Sequence, residues 1–101
     1  MALENAQFDA ALSAAAGNDA SLQLELRNAF VESAELQLDL LKRSRCDANW
    51  ELAAMRLKGL AASFHAGQLQ DLAQEALVSA PGEPTVIREI STHLAEISGQ
   101  Q

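Results

Sequence analysis

Residues 50–64 read WELAAMRLKGLAASF, and this stretch decides the fold class of the chain. Its apolar residues recur at steps of three and four, which is the spacing of one buried face of an α-helix. When Leu57 is placed at the centre of that face, at about 100° per residue, the other members lie within about 60° of it. They are Trp50, Ala54, Ala61 and Phe64. The pattern predicts a helix packed into an apolar core.

The residues that precede this stretch predict two more helices. Residues 8–16 form a short first helix that Gly17-Asn18 terminates, and Asp19 can cap a second helix over residues 20–42. Asp47 is the expected N-cap of the third. The apolar face of the second helix is wide, which suits neighbours on two sides. It comprises Leu22, Leu26, Ala29, Phe30, Ser33, Leu38 and Leu41, widened by Leu24, Leu36 and Leu40.

The residues that follow predict a fourth and a fifth helix. Residues 65–67 interrupt the helical pattern, and residues 79–84 (SAPGEP) form the clearest loop, with Pro84 suited to a first helical turn. The inward residues are Leu69, Leu72, Ala73, Ala76 and Leu77, then Val86, Ile87, Ile90, Leu94 and Ile97. Because short connections imply antiparallel neighbours, we expect an all-α single domain over residues 1–101. Its predicted architecture is an up-and-down antiparallel four-helix bundle with an additional short N-terminal helix.

Composition narrows the possible functions. The chain has 101 residues, 14 acidic and 7 basic, and its net charge of −7 disfavours nucleic-acid binding. The lone Cys46 fits a reducing compartment. No apolar run approaches the roughly 20 residues of a membrane span, and the first ten residues do not resemble a signal peptide. We therefore expect a cytoplasmic protein without membrane contact that is a monomer.

The solvent side of the third helix carries two anomalies. Met55, Gly59, Ala62 and Ala66 are predicted to lie there, and a mid-helix glycine costs about 1 kcal/mol relative to alanine. An exposed Met buries nothing, yet Met55 and Gly59 lie four residues apart and share one smooth patch with Lys58 at its edge. A bare glycine on such a face lets another molecule approach the helix backbone closely.

Residues 54–64 resemble the histidine phosphotransfer (HPt) domains of bacterial two-component phosphorelays. The family signature is His-x-Leu-Lys-Gly, followed by small residues and an apolar position. The matching residues are Leu57, Lys58, Gly59, Ala61, Ala62 and Phe64, with Leu69 downstream. Comparable residues elsewhere are Phe8-Asp9, Gly17-Asn18-Asp19, Leu26, Phe30 and Asp47, so the resemblance extends over nearly the whole chain.

The resemblance also defines a departure, because Met55 stands where the family has its phospho-accepting histidine. A thioether has no proton to lose and is only a weak acceptor, so Met55 cannot hold a phosphoryl group stably. The resemblance implies that Lys58 would balance phosphate charge and that Gly59 would make room for a receiver domain. A second departure is His65, where the family usually has glycine.

The predicted function is therefore a signalling module that binds without phosphotransfer. Its partner would be a response-regulator receiver domain or, alternatively, the dimerisation helices of a histidine kinase. It would compete with a true phosphotransfer protein or sequester a response regulator. We expect no enzymatic activity, no cofactor and no metal. The predicted partner-binding residues are Leu52, Met55, Arg56, Lys58, Gly59 and Ala62.

Two alternatives stay open. His65 can serve as a substitute phospho-acceptor, although ten residues place it about 15 Å along the helix axis and about 80° around it from Met55. The other alternative is a self-associating structural helical bundle.

His93 is expected at the edge of the bundle, and Cys46 has no histidine adjacent in sequence to act as its base. The acidic row Glu25, Glu32, Glu35 and Asp39 is expected to be a solvated face.

Overall fold

A computed structural model describes residues 2–98 of the chain, with side chains over residues 6–98, as an all-α protein. The helices are α1 (Ala2–Ala16), α2 (Ala20–Lys42), α3 (Asp47–Ser63), α4 (Gly67–Leu77) and α5 (Pro84–Ile97). Residues 2–98 contain no strand, which confirms the predicted class. None of the helices in that range combines the length and the apolar character that crossing a membrane requires.

Three of the predicted helix boundaries are confirmed by local geometry. Gly17 ends α1 in the left-handed region with φ of 68°, which glycine adopts without steric strain because it has no Cβ. The Asp19 carboxylate accepts a hydrogen bond from the backbone N–H of Leu22 at 3.1 Å and so caps α2. Pro84 is the first residue of α5, where its missing N–H costs no intrahelical bond.

Two helix starts differ from the prediction. α1 begins at Ala2 instead of Phe8, because residues 2–7 (ALENAQ) are, except for Asn5, good helix formers, although the periodic apolar face starts only at Phe8. Cys46, not Asp47, is the N-cap of α3: its backbone is extended and its carbonyl accepts from the Trp50 N–H at 3.1 Å. Asp47 is the first helical residue, where the positive end of the helix dipole favours its charge.

The core lies between helices that each contact two or more others. α2 contacts α3 and α5, α4 contacts α3 and α5, and α1 packs against α2 and α4. The Phe30 ring of α2 connects α1 to the end of α3, with its centroid 4.8 Å from that of Phe8 and 5.0 Å from that of Phe64. Trp50 is buried and donates its indole N–H to the Ala76 carbonyl at 2.7 Å, which ties α3 to α4.

Arg27 fastens α1 and the end of α5 to α2. Its guanidinium lies 5.2 Å from the centre of the Phe8 ring and forms an ion pair with Asp9. It also donates to the Ile97 carbonyl at 2.7 Å. Arg27 therefore stabilises the fold, because its guanidinium contacts Asp9, the Ile97 carbonyl and the Phe8 ring within the chain.

The predicted face of α2 is partly wrong. Leu22, Leu24, Leu36, Ala29 and Ser33 are exposed. The buried residues of α2 are Phe30, Val31, Ala34, Leu38 and Leu41. Leucines occur on every side of this helix, so apolar spacing alone does not select the side that meets α3 and α5.

His93 also departs from its expected place at the edge. Its side chain is buried, at 3% relative exposure, beside Leu94 on the inner face of α5. It is three residues after Ile90, and that spacing brings it onto the same buried face.

Candidate functional site

The buried face of α3 fixes which of its residues meet solvent. Trp50, Leu57 and Ala61 are buried as predicted, so the opposite side of the helix points outward. Met55 is 61% exposed and Leu52 is 49% exposed. We call the six predicted partner-binding residues the docking face: Leu52, Met55, Arg56, Lys58, Gly59 and Ala62.

The docking face lies on one side of α3, and its two cations lie at its opposite edges. Met55, Gly59 and Ala62 are exposed along its middle. Lys58 lies on the α4 side, where its Nζ donates to Gln74 Oε1 at 2.7 Å. Arg56 lies on the α2 side, where it lines a groove of about 320 Å³ together with Leu52. The structure therefore brings all six predicted residues to one side of the helix, with Lys58 half-buried.

Gly59 is not required by the packing of the fold. A Cβ added to it would meet no atom within 4 Å. Its carbonyl accepts an additional hydrogen bond from the Ser63 hydroxyl, four residues later in the same helix, at 3.0 Å. A side chain at this position would stabilise α3 by about 1 kcal/mol and would fit. Nothing within the described residues uses the space that the glycine leaves open.

Two contacts of this site were missed from the sequence. Gln74, which holds the Lys58 ammonium, and Leu40, which lines the groove beside Arg56, belong to other helices. Only the register between helices reveals such neighbours, and no signal in the sequence specifies that register.

His65 lies outside the helix that carries the docking face. α3 ends at Ser63, and His65 occupies a left-handed conformation with φ of 56°. Its N–H donates to the Ala62 carbonyl at 3.2 Å, and the Ala66 N–H donates to the Ala61 carbonyl at 2.8 Å. This pair of bonds is a Schellman C-cap, the motif in which glycine is preferred at the left-handed position.

The same C-cap corrects the predicted exposure of Ala66. The prediction had residues 65–67 interrupt the helical pattern, but by helical angle it placed Ala66 on the solvent side of the third helix. Because the chain reverses at His65, Ala66 turns inward and is buried near the end of α3 with Ala61. A hydrophobic contact of this kind commonly accompanies the motif.

The variant His65→Gly is expected to raise the free energy of unfolding by about 0.5–1 kcal/mol. Relief of the left-handed strain outweighs the added flexibility of glycine in the unfolded chain. Urea denaturation followed by Trp50 fluorescence measures the change. His65→Gln is the control, because it keeps a Cβ at the same φ and should change the stability little. A loss of stability in His65→Gly would show that the imidazole itself stabilises the fold.

The other residues singled out from the sequence are the acidic row of α2, Cys46 and His93. The four acidic residues of the α2 row are all exposed, as expected of a solvated face, and Cys46 is an exposed free thiol. His93 Nδ1 lies 3.9 Å from Glu96 Oε1 on the same helix. Within the described residues, no three His, Cys, Asp or Glu side chains are grouped so that they could hold a metal ion.

Comparison with known proteins returns no relative: no family model, no curated protein and no solved structure matches the chain.

Proposed function

We propose that the chain is an HPt-like module in which α2 to α5 form an up-and-down antiparallel four-helix bundle, with α1 as the additional helix. The contacts between helices support this arrangement. Consecutive helices from α2 to α5 touch each other, and α5 returns to α2, so the four close a ring. α1 packs against two members of this ring, α2 and α4.

In this proposal the docking face binds a response-regulator receiver domain. The observation that carries it is Gly59, a helical glycine on the exposed side of α3 with open space around it. A glycine inside a helix costs about 1 kcal/mol relative to alanine, and no contact within the described fold requires the glycine here. A close approach by a partner to the helix backbone would explain it. The exposed Met55 side chain, one turn before Gly59, adds apolar surface to the same contact.

Binding would proceed without phosphoryl transfer. Met55 occupies the position that accepts the phosphoryl group in HPt domains, and its thioether is no nucleophile for that reaction. Lys58, held by Gln74 at the edge of the face, still places a positive charge near the partner. The module would thus occupy a receiver without discharging it, in competition with a true phosphotransfer protein.

The variant Gly59→Gln is expected to weaken this binding strongly while preserving the fold. The added side chain projects into the space that the partner would fill, and we expect at least about a tenfold loss of affinity, or about 1.4 kcal/mol. Its helix should be more stable, because glutamine is the better helix former by nearly 1 kcal/mol. Amide NMR titration of the labelled chain with receiver domains from the same organism measures both the site and the affinity.

Gly67→Gln is a matched control for this experiment. Gly67 is the first residue of α4, and a Cβ there also meets no atom within 4 Å, but it lies off the docking face. Wild-type shifts should cluster on Met55, Lys58, Gly59 and Ala62, and Gly67→Gln should leave them unchanged. Undiminished docking by Gly59→Gln would show that the docking face is assigned wrongly.

A further inference from the structure

The positive charge of this acidic chain is concentrated in one short segment. Residues 42–58 contain five of the seven cations and only two carboxylates, a net charge of +3. The rest of the chain has two cations and twelve carboxylates, a net charge of −10. The five cations are Lys42, Arg43, Arg45, Arg56 and Lys58. This segment spans the end of α2, the connection that follows and most of α3.

Two of these cations line one groove together with apolar side chains. The groove, with a volume of about 320 Å³, lies between the end of α2 and the first half of α3. Arg43 and Arg56 contribute its charge, and Leu40 and Leu52 contribute apolar surface. Leu52 is about half exposed, so this surface is accessible from solvent. We call this the Arg43–Arg56 groove.

One of the two groove arginines has a carboxylate partner, which is exposed, and the other has none among residues 6–98. The two carboxylates of the segment, Asp47 and Glu51, line a separate groove with Trp50. Arg43 pairs with Asp39 at 3.0 Å, but both side chains are more than half exposed, and such pairs contribute little free energy. Over residues 6–98, no carboxylate lies within 4 Å of the Arg56 guanidinium. Both arginines can therefore engage an incoming carboxylate.

We propose that the Arg43–Arg56 groove binds an acidic segment of a partner protein, in which carboxylates flank an apolar side chain. Each guanidinium can bind a carboxylate through two parallel hydrogen bonds. The apolar side chain would pack against Leu40 and Leu52. The net charge of −7 opposes such a ligand only weakly, because charges beyond about 8–10 Å are screened at physiological salt. The groove shares Leu52 and Arg56 with the docking face, but neither Met55 nor Gly59 lines it.

The test measures binding of a fluorescein-labelled peptide, Asp-Glu-Leu-Glu-Asp-Leu, by fluorescence anisotropy. The variant Arg43→Gln is expected to weaken binding by about fivefold or more, in line with the loss of a charge-assisted hydrogen bond. Arg88→Gln is the matched control, because it removes the same charge from α5 outside the groove and should leave affinity unchanged. Raising the salt concentration should weaken binding to the wild-type chain.

Three outcomes of the peptide assay would overturn the proposal. They are no binding of the acidic peptide, equal binding of its Asn-Gln-Leu-Gln-Asn-Leu analogue, and equal losses in Arg43→Gln and Arg88→Gln. A dimer in sedimentation that Arg43→Gln disrupts would assign the groove to a second copy of the chain, and would overturn it too. Gly59→Gln should keep peptide binding, so failure of this proposal is distinguishable from failure of receiver docking.

Discussion

Replacing Trp50 with alanine is expected to lower the free energy of unfolding by about 3–5 kcal/mol. The side chain is only 1% exposed, and its removal leaves a cavity at the contact between α3 and α4. The Ala76 carbonyl also loses the hydrogen bond that it accepts from the indole N–H at 2.7 Å, and a buried acceptor without a partner is destabilising. A loss of 1 kcal/mol lowers the melting temperature of a domain of this size by about 4–8 °C. The change should therefore lower the melting temperature by about 15–30 °C.

Two further variants separate the causes of that loss. Trp50→Phe keeps most of the buried volume but leaves the Ala76 carbonyl without its donor, which should cost about 1–3 kcal/mol. Leu24→Ala removes a large apolar side chain that is 57% exposed, and it should change the stability by less than about 0.5 kcal/mol. Urea denaturation followed by far-ultraviolet circular dichroism suits all three, because the variants at position 50 lack the tryptophan fluorophore. Equal losses in Trp50→Ala and Leu24→Ala would contradict the packing described for α3.

The sequence predicts α3 well because its two sides differ sharply in chemistry. Trp50, Leu57 and Ala61 define a narrow apolar face, so the outward placement of Met55 and Gly59 follows from helical geometry alone. The helix ends were predictable where a residue has a specific local role, as for the left-handed Gly17 and the capping carboxylate of Asp19. Such features depend on neighbours in sequence, which a single chain displays directly.

Features that depend on contacts between helices were less predictable. Helix α2 is leucine-rich on several sides, and its packing against α3 and α5 selects Val31 and Ala34 over Leu36. The contact between Lys58 and Gln74 depends on the register of α3 against α4. A third case is Ala66, whose burial depends on a chain reversal that follows a histidine in a glycine-type conformation. The sequence signal for a C-cap is strongest when the left-handed residue is glycine, and here it is absent.

If the proposed receiver docking holds, the variant Met55→His is expected to become a phosphoryl acceptor. A neutral imidazole nitrogen at this exposed position would attack the phosphorus of a receiver aspartyl phosphate. The nitrogen–phosphorus bond forms as the bond to the aspartate oxygen breaks, and the carboxylate leaves. In the proposed docking, Gly59 would leave space for the receiver one turn away, and Lys58 would lie on the adjoining edge. Incubation with a ³²P-labelled receiver should give Met55→His an acid-labile label.

Controls identify the residue that carries this label. Met55→Gln should remain unlabelled, and the double variant Met55→His with Gly59→Gln should lose the label because docking is blocked. Label on the wild-type chain that His65→Gln removes would instead support the alternative acceptor at His65. An exposed substitution at position 55 should change the stability by less than about 0.5 kcal/mol, so unfolding would not explain a negative result. A Met55→His chain that docks a phosphorylated receiver in the NMR titration yet never acquires label would show that residue 55 does not face the aspartate. The resemblance to HPt domains would then fail at the position that defines their chemistry.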